Sequence, residues 1–523
     1  MRFKQILILG LLGICVLAAL PMASAAMTYN VTTLDDLWNV SKLTQVTPGM
    51  DIVIDVKSDL VGMVQRDIIF DNATVLINGN NKNITFKFMS SADGLKTVNS
   101  TLQVKNLNFR NTSFNASCGL INATGSTQST QSVVVVDSCL FENNDILNGN
   151  LIYSTSNYGA INDVKVTNCT FLNNNGTLVR YAGNIMGTGD KFEMKDVLIR
   201  GGFNGSQCWV GIDNTDNVLV ENVTISGRGT LGPAFLIQND KSITLSNITV
   251  ENVTADKVFY LINSSAVIKN SYVGDNVCTD MILASGTVIV DVIQCTFYNN
   301  TMASNRIILS VNNAPGLSGK AMFCTLVKNG TAGFGFVTEI EQFGNVISRV
   351  PGQNVTNEKY EDYFGTNQPA LNGGKTKSIQ LSDKEENPAL NKISVADYQS
   401  KMGINPNSDI DQSGKKRIYG SAVDYGSIEL QKNPIQTIID GIIDLLTSSK
   451  PKDNNSTDPV GSDDSGLFSK TKPSMVLFLF GDDPFLKRTQ SLLYFIVSNW
   501  VKMDVPVVSD VSRGFINVVG WES

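Results

Sequence analysis

Histidine is absent from all 523 residues, and that absence removes three chemistries at once. A Ser-His-Asp triad, a Cys-His dyad and a histidine-ligated zinc site all require an imidazole. Charge is also scarce: charged residues make up 17% of the chain and the net charge is −7. No basic cluster occurs, so no nucleic-acid partner is expected. Past the first 26 residues no apolar run reaches the ~20 residues of a membrane span. The chemistry left to a catalyst is that of carboxylates, or of calcium with Arg or Lys.

What is present is a repeat. In "VKVTNCTFLNNNGT" (164–177) the alternation of Val164 and Val166 changes phase at Asn168, and the apolar set resumes at Cys169 and Phe171. A one-residue slip sends later side chains to the other face of a strand. The phase change therefore marks a bend, with both strands facing one interior. With Cys169 as position zero, apolar residues fall at −5, −3, 0 and +2, and a polar residue falls at −1. The template recurs with position zero at 107, 139, 169, 197, 223, 248, 271, 295 and 324, separations of 23 to 32 residues. The −1 residue is Asn106, Ser138, Asn168, Asp196, Asn222, Asn247, Asn270 or Gln294, with Phe323 the exception. Asn tolerates left-handed backbone angles and bonds to its own backbone, as a bend requires.

A third apolar strand follows each turn, as in "NLIYST", "TLVRYAG" and "AFLIQN". Three short strands per coil, stacked in register, predict an all-β, right-handed parallel β-helix of the pectate-lyase-like kind. About ten coils at ~4.8 Å each would make a rod of ~50 Å. A β-sandwich would instead predict hairpins and no fixed phase between strands. The +2 ladder of Phe109, Phe141, Phe171, Ile199, Ile225, Val250, Val273, Phe297 and Leu326 is expected inside.

The spacing divides the chain into five parts. Residues 1–26, with Arg2 and Lys4 before an apolar run and small residues at Ala25 and Ala26, read as a secretory signal peptide. Cys15 follows Ile14 and is no lipoprotein cysteine. Residues 27–65 form an N-terminal cap whose helix carries Leu34, Leu37, Trp38 and Leu43, with Thr32 and Thr33 as N-caps. Residues 66–350 form the β-helix, and 351–432 a C-terminal cap region. Residues 433–523 hold an amphipathic helix (Ile435, Ile438, Ile439, Ile442, Leu445, Leu446), a polar linker and an apolar tail suited to surface attachment.

Seven cysteines would remain after signal cleavage. Cys139 and Cys169 share position zero in adjacent coils, as do Cys295 and Cys324. Their Cα atoms would lie within disulfide range at ~4.8 Å, but parallel Cβ vectors converge poorly. Buried thiols are expected over disulfides, with both pairs left open. Among the Asn-x-Ser/Thr sequons, those at −1 bends read as ladder residues. Asn175, Asn204, Asn329 and Asn455 are the glycosylation candidates.

Two stretches resemble a known group. "PALNGGKTKSIQLSDKEENPAL" (369–390) and "DIDQSGKKRIYGSAVDYGSIEL" (409–430) are similar to the C-terminal part of secreted right-handed parallel β-helix repeat proteins. That group includes polymorphic outer-membrane-type proteins and the adhesin-like proteins of methanogenic archaea. The resemblance rests on Asn372, Gly373, Gly374, Pro388 and Ala389, then on Asp411, Gly414, Arg417, Gly420, Asp424, Gly426 and Glu429. It implies the fold and a surface location, without a reaction, over roughly residues 30 to 432. Arg417, Asp424 and Glu429 are expected to form a cap network.

For function, the sequence supports a secreted or cell-surface adhesin-like glycoprotein. It would bind carbohydrate or protein partners along a β-helix face, with no catalysis, cofactor or metal. The alternative is a polysaccharide lyase or glycoside hydrolase. Its candidates are Asp213 and Asp216 in "GIDNTDNVLVENVTI", which resembles the "DDGID" strand of β-helix glycoside hydrolases. Glycosidases need two carboxyl groups across one groove, and the aligned stretches "TLVRYAGN" and "AFLIQNDKSI" repeat no acid opposite them. Solvated turn acids are the plainer expectation. The glycine-aspartate nonapeptide of calcium-loaded β-rolls is absent.

Overall fold

The computed structural model describes residues 26–431 apart from 65–66, 89–92, 114–118, 126–130, 157–159, 184–188, 202–207, 228, 230–231, 305, 311–315, 330–335 and 349–359, and apart from the side chains at 147–148 and 309–310. The chain winds into a parallel β-solenoid of about ten turns. Its strands form a 21-stranded sheet, which covers two walls, and an 11-stranded sheet, which forms the third.

The bend predicted at −1 is present in all nine coils. Asn106, Ser138, Asn168, Asp196, Asn222, Asn247, Asn270, Gln294 and Phe323 have φ between +52° and +56°. A left-handed residue interrupts the pleat by one position, so positions 0 and +2 turn inward again. The +2 ladder runs in register, with Phe109, Phe141 and Phe171 on successive rungs and fully buried. Phe141 stacks on Phe109 at 4.8 Å and on Phe171 at 4.7 Å between ring centroids. The third wall adds the inward row Ile152, Val179, Val210 and Phe235.

A second left-handed ladder lies four residues beyond position zero, at Asn111, Asn143, Asn173, Asn252, Asp275, Asn299 and Lys328, with glycines 201 and 227 completing it. The residue after this bend points inward, and five coils place an asparagine there. Asn276 Nδ2 donates to Asn300 Oδ1 at 2.9 Å, and Asn300 Nδ2 donates to Asn329 Oδ1 at 2.7 Å. Asn144 and Asn174 repeat the contact at 2.9 Å. Each amide thus satisfies backbone groups at a corner that water does not reach.

Three expectations need correction. Asn329 was read as a glycosylation candidate, yet it is 3% exposed and its amide nitrogen donates to Phe297 O at 2.8 Å. That nitrogen is committed to the inner ladder and closed to a glycan in the folded chain. Leu43 was placed on the packed face of helix α1 (Leu34–Val46), but it is exposed, and Ser41 and Thr44 are buried instead. Thr44 Oγ1 explains this by accepting from Asp71 N at 3.1 Å and donating to Ser41 O at 2.8 Å. The N-cap reading at Thr33 stands, with a capping box to Asp36. Third, coil pairing begins before residue 66: Met27–Val31 already pairs in parallel with Asp51–Val56. Helix α1 is an insertion within the first coil.

The C-terminal segment carries helices α2 (Tyr360–Phe364) and α3 (Val395–Met402). It lies along the outside of the second wall, touching successive coils at Glu251, Ser271, Thr296, Thr325 and Gly344. Within it Arg417 is completely buried and donates to Asp424 O at 3.0 Å and Gly426 O at 2.6 Å. Asp424 accepts from Asn391 N and Leu430 N, and Glu429 from Tyr419 N and Asp424 N. The motif residues therefore build a buried network that closes the segment on itself.

Candidate functional site

The three walls differ in what they leave unpaired. On the first wall, charges neutralise one another between coils: Lys165 meets Glu193 at 2.9 Å and Lys195 meets Glu221 at 2.9 Å. The second wall is covered by the C-terminal segment over its last coils. The outer face of the third wall carries half-buried groups with few polar partners among the described residues, and Asp213 lies on it.

Asp213 ends the strand Val210–Asp213. Its carboxylate accepts from Gln238 Nε2 at 2.7 Å and Asn239 Nδ2 at 3.2 Å, both from the next coil. The left-handed residue Asn214 (φ +55°) separates it from Asp216. Asp216 pairs with Lys241 and accepts from Gly189 N. The hydrogen bond from Lys241 is the main reason its carboxyl is held below the usual carboxylate range, against a smaller opposing effect of burial. Both acids thus serve as ties between coils.

Alignment by template misses two further acids at the same corner. Asp240 lies opposite Thr215 in the next coil, 3% exposed, and its Oδ1 accepts from Thr215 N at 2.5 Å. Asp190, 1% exposed, accepts from Asn162 N at 2.7 Å. They occupy the inward position that asparagine holds at the second corner. Burial is the main cause that pushes Asp240 up to about 7; the charge of Asp213 adds to it and hydrogen bonds from Thr215 oppose it. The second oxygen of Asp240 is buried without a hydrogen-bond partner. Asp213 and Asp240 are thus a carboxyl pair with divergent environments, but Asp240 is sealed from any substrate.

Beside Asp213 on the outer face runs a row set by strand register: Asn122, Tyr153, Arg180, Gly211, Leu236 and Tyr260. Arg180 is half-buried and reaches across to the next coil, where its Nη1 lies 3.8 Å from Cys208 Sγ. A Cβ on Gly211 would fall 2.5 Å from that Nη1, so the absence of a side chain there makes the bed for the guanidinium. Arg180 has no ion pair with any described carboxylate. Neither Tyr153 nor Tyr260 has a hydrogen-bonded hydroxyl among the described residues, and Lys257 Nζ sits 5.3 Å from the Tyr260 ring centroid. The carbonyl oxygen of Asn122 is buried and lacks a partner.

The remaining sequence candidates are placed as follows. Cys139, Cys169, Cys295 and Cys324 are buried free thiols, as are Cys208 and Cys278. Each of the first four turns its sulfur to carbonyl oxygens of its own coil and the preceding one; Cys169 Sγ, for example, donates to Thr167 O at 3.1 Å and Val136 O at 3.5 Å. Asn175 is half-buried, and its amide donates to Asp145 Oδ1 at 3.0 Å. Asn204, Asn455, the leader up to residue 25 and the segment 433–523 lie outside the described residues. Among the described residues no group of three or more His, Cys, Asp or Glu side chains is disposed to hold a metal ion, and no helix is long and apolar enough to cross a membrane. No protein-family model matches the chain, and neither a curated protein nor a solved structure matches it.

Proposed function

We propose that this chain, a parallel β-solenoid, is an exported surface rod that binds carbohydrate or protein partners along one wall and performs no catalysis on them. The supporting observation is the contrast at residue 213. The two sequence-derived catalytic candidates are bound into ties between coils, while the adjacent row on the third wall offers a half-buried cation without an ion pair and two phenols without hydrogen-bonded hydroxyls among the described residues. A binding face needs such groups in a line, whereas a glycosidase needs two carboxyls open to one groove. Of the carboxyl pair at this corner, the member whose pKa burial raises is sealed inside the wall. Export through the first 26 residues, display at the cell surface, glycosylation at sites such as Asn175 and attachment through 433–523 belong to the same reading.

The test is a screen of the purified chain against acidic and neutral polysaccharides, scoring binding together with new reducing or unsaturated ends. Binding without turnover is the expected result. Turnover that Asp213→Ala abolishes would establish the lyase or hydrolase reading in its place.

A further inference from the structure

We infer that the row about Arg180 is a subsite for the carboxylate of a uronate-bearing polysaccharide. This rests on the binding reading above and specifies its ligand. A guanidinium presents five N–H donors in a planar fork matched to a carboxylate. The only hydrogen-bond acceptor that Arg180 meets among the described residues is the Cys208 sulfur at 3.8 Å, a weak one. Holding a cation half-buried without an anion is costly, and no described carboxylate forms an ion pair with it. Asp213, two residues beyond Gly211 on the same strand, spends both oxygens on Gln238 and Asn239. A ligand carboxylate would supply the strong acceptor that Arg180 does not meet among the described residues.

The neighbours argue for a sugar polymer as the bearer of that charge. Tyr153 precedes Arg180 on the adjoining rung, and Leu236 and Tyr260 follow Gly211. Half-exposed rings present flat apolar faces with a polar edge, which suits a pyranose carrying C–H groups on one face and hydroxyls around it. The rungs repeat at ~4.8 Å, so the six-residue row spans roughly 24 Å. A linear chain of similar rings can meet such a row at several steps. Gly211 leaves the room beneath Arg180 that a side chain would fill.

The test uses the full chain with polygalacturonate and alginate as carboxylated probes, dextran sulfate as a sulfated probe and dextran as a neutral one. Affinities are measured at low and moderate salt for the natural chain and for Arg180→Gln, Arg180→Lys and Tyr153→Ala. Unfolding midpoints of all four confirm the fold. The expected result is binding of at least one carboxylated polymer, weakened by salt and reduced at least tenfold in Arg180→Gln. Arg180→Lys should lose less, and Tyr153→Ala should lose affinity with unchanged salt dependence. If Arg180→Gln fails to fold, the loss in Tyr153→Ala together with preference for carboxylated over neutral probe decides the matter. Equal binding of dextran sulfate, with equal loss in Arg180→Gln, would overturn the carboxylate assignment. Binding of dextran, insensitive to Arg180→Gln, would overturn the subsite and leave the binding face standing. Binding to no polysaccharide would overturn the subsite, and the wider reading would then rest on protein partners.

Discussion

Asp240 is an acid built into a wall. Its Oδ1 is held by Thr215 N, its Oδ2 has no partner, and its pKa rises to about 7. A carboxyl raised in the folded state binds its proton more tightly there than in the unfolded chain. Its contribution to stability is therefore full below the unfolded value near 3.8 and is lost as pH climbs through about 7. The rise from 3.8 to about 7, at ~1.4 kcal/mol per tenfold change in proton affinity, limits the effect to ~4 kcal/mol. Glu429, raised to about 8 mainly by burial and then by Asp424, acts with the same sign. The protein is thus expected to unfold at higher denaturant at pH 5 than at pH 8. Asp240→Asn should recover ~1–3 kcal/mol at pH 8 and change little at pH 5. Identical pH profiles for the two chains would show that Asp240 ionises freely where it lies.

At the scale of the element, the coil is held by ladders of different cost. Phe171 packs between Phe141 and Ile199 on the +2 ladder and is fully buried. Phe171→Ala should cost ~3–5 kcal/mol by opening a cavity that a stacked rung cannot collapse around. Asn222 sits on the −1 bend at φ +54°, and its amide donates to Asp196 Oδ1 at 2.8 Å near the surface. Asn222→Ala keeps the coil and should cost ~1–2 kcal/mol, from left-handed strain and one lost exposed hydrogen bond. Denaturant unfolding of both variants checks the ranking, and equal effects would contradict the division into inner and corner ladders.

At the scale of the molecule, the last two breaks in the asparagine pattern lie where the C-terminal segment lands. Gln294, at −1, donates to Asp409 Oδ2 at 3.3 Å, and Tyr398 donates to the same oxygen at 2.5 Å. Phe323, the one aromatic at −1, lies under the guanidinium of Arg417 at 4.4 Å and beside Tyr398 at 4.9 Å between centroids. The bend there still has φ +55°, so the fold accepts a bulky left-handed residue because the docked segment needs its ring. Phe323→Asn should restore the usual bend residue yet loosen the segment. Limited proteolysis should then cut within 360–430 while the coils stay protected. Unchanged protection would mean that Phe323 serves the bend alone.

Much of this architecture could be read from the chain because it repeats. A phase change at Asn168, met again at eight other positions, needs no distant partner to be recognised, and left-handed φ at a corner is a local demand on residue type. The buried asparagines were harder to place, since Asn329 in "KNGT" looks like any loop sequon until the rungs above and below are known. Asp190 and Asp240 escaped because separations of 23 to 32 residues blur the register of the third wall. Arg180 drew no notice, as an arginine in a strand is ordinary wherever an acid stands beside it. Composition and periodicity determined the coil, its inner ladder and its bends, which depend on residues close in sequence. Whether a carboxylate is tied or buried, and whether a cation lacks an anion, depends on groups 25 or more residues away, and only the stacking of coils decided that.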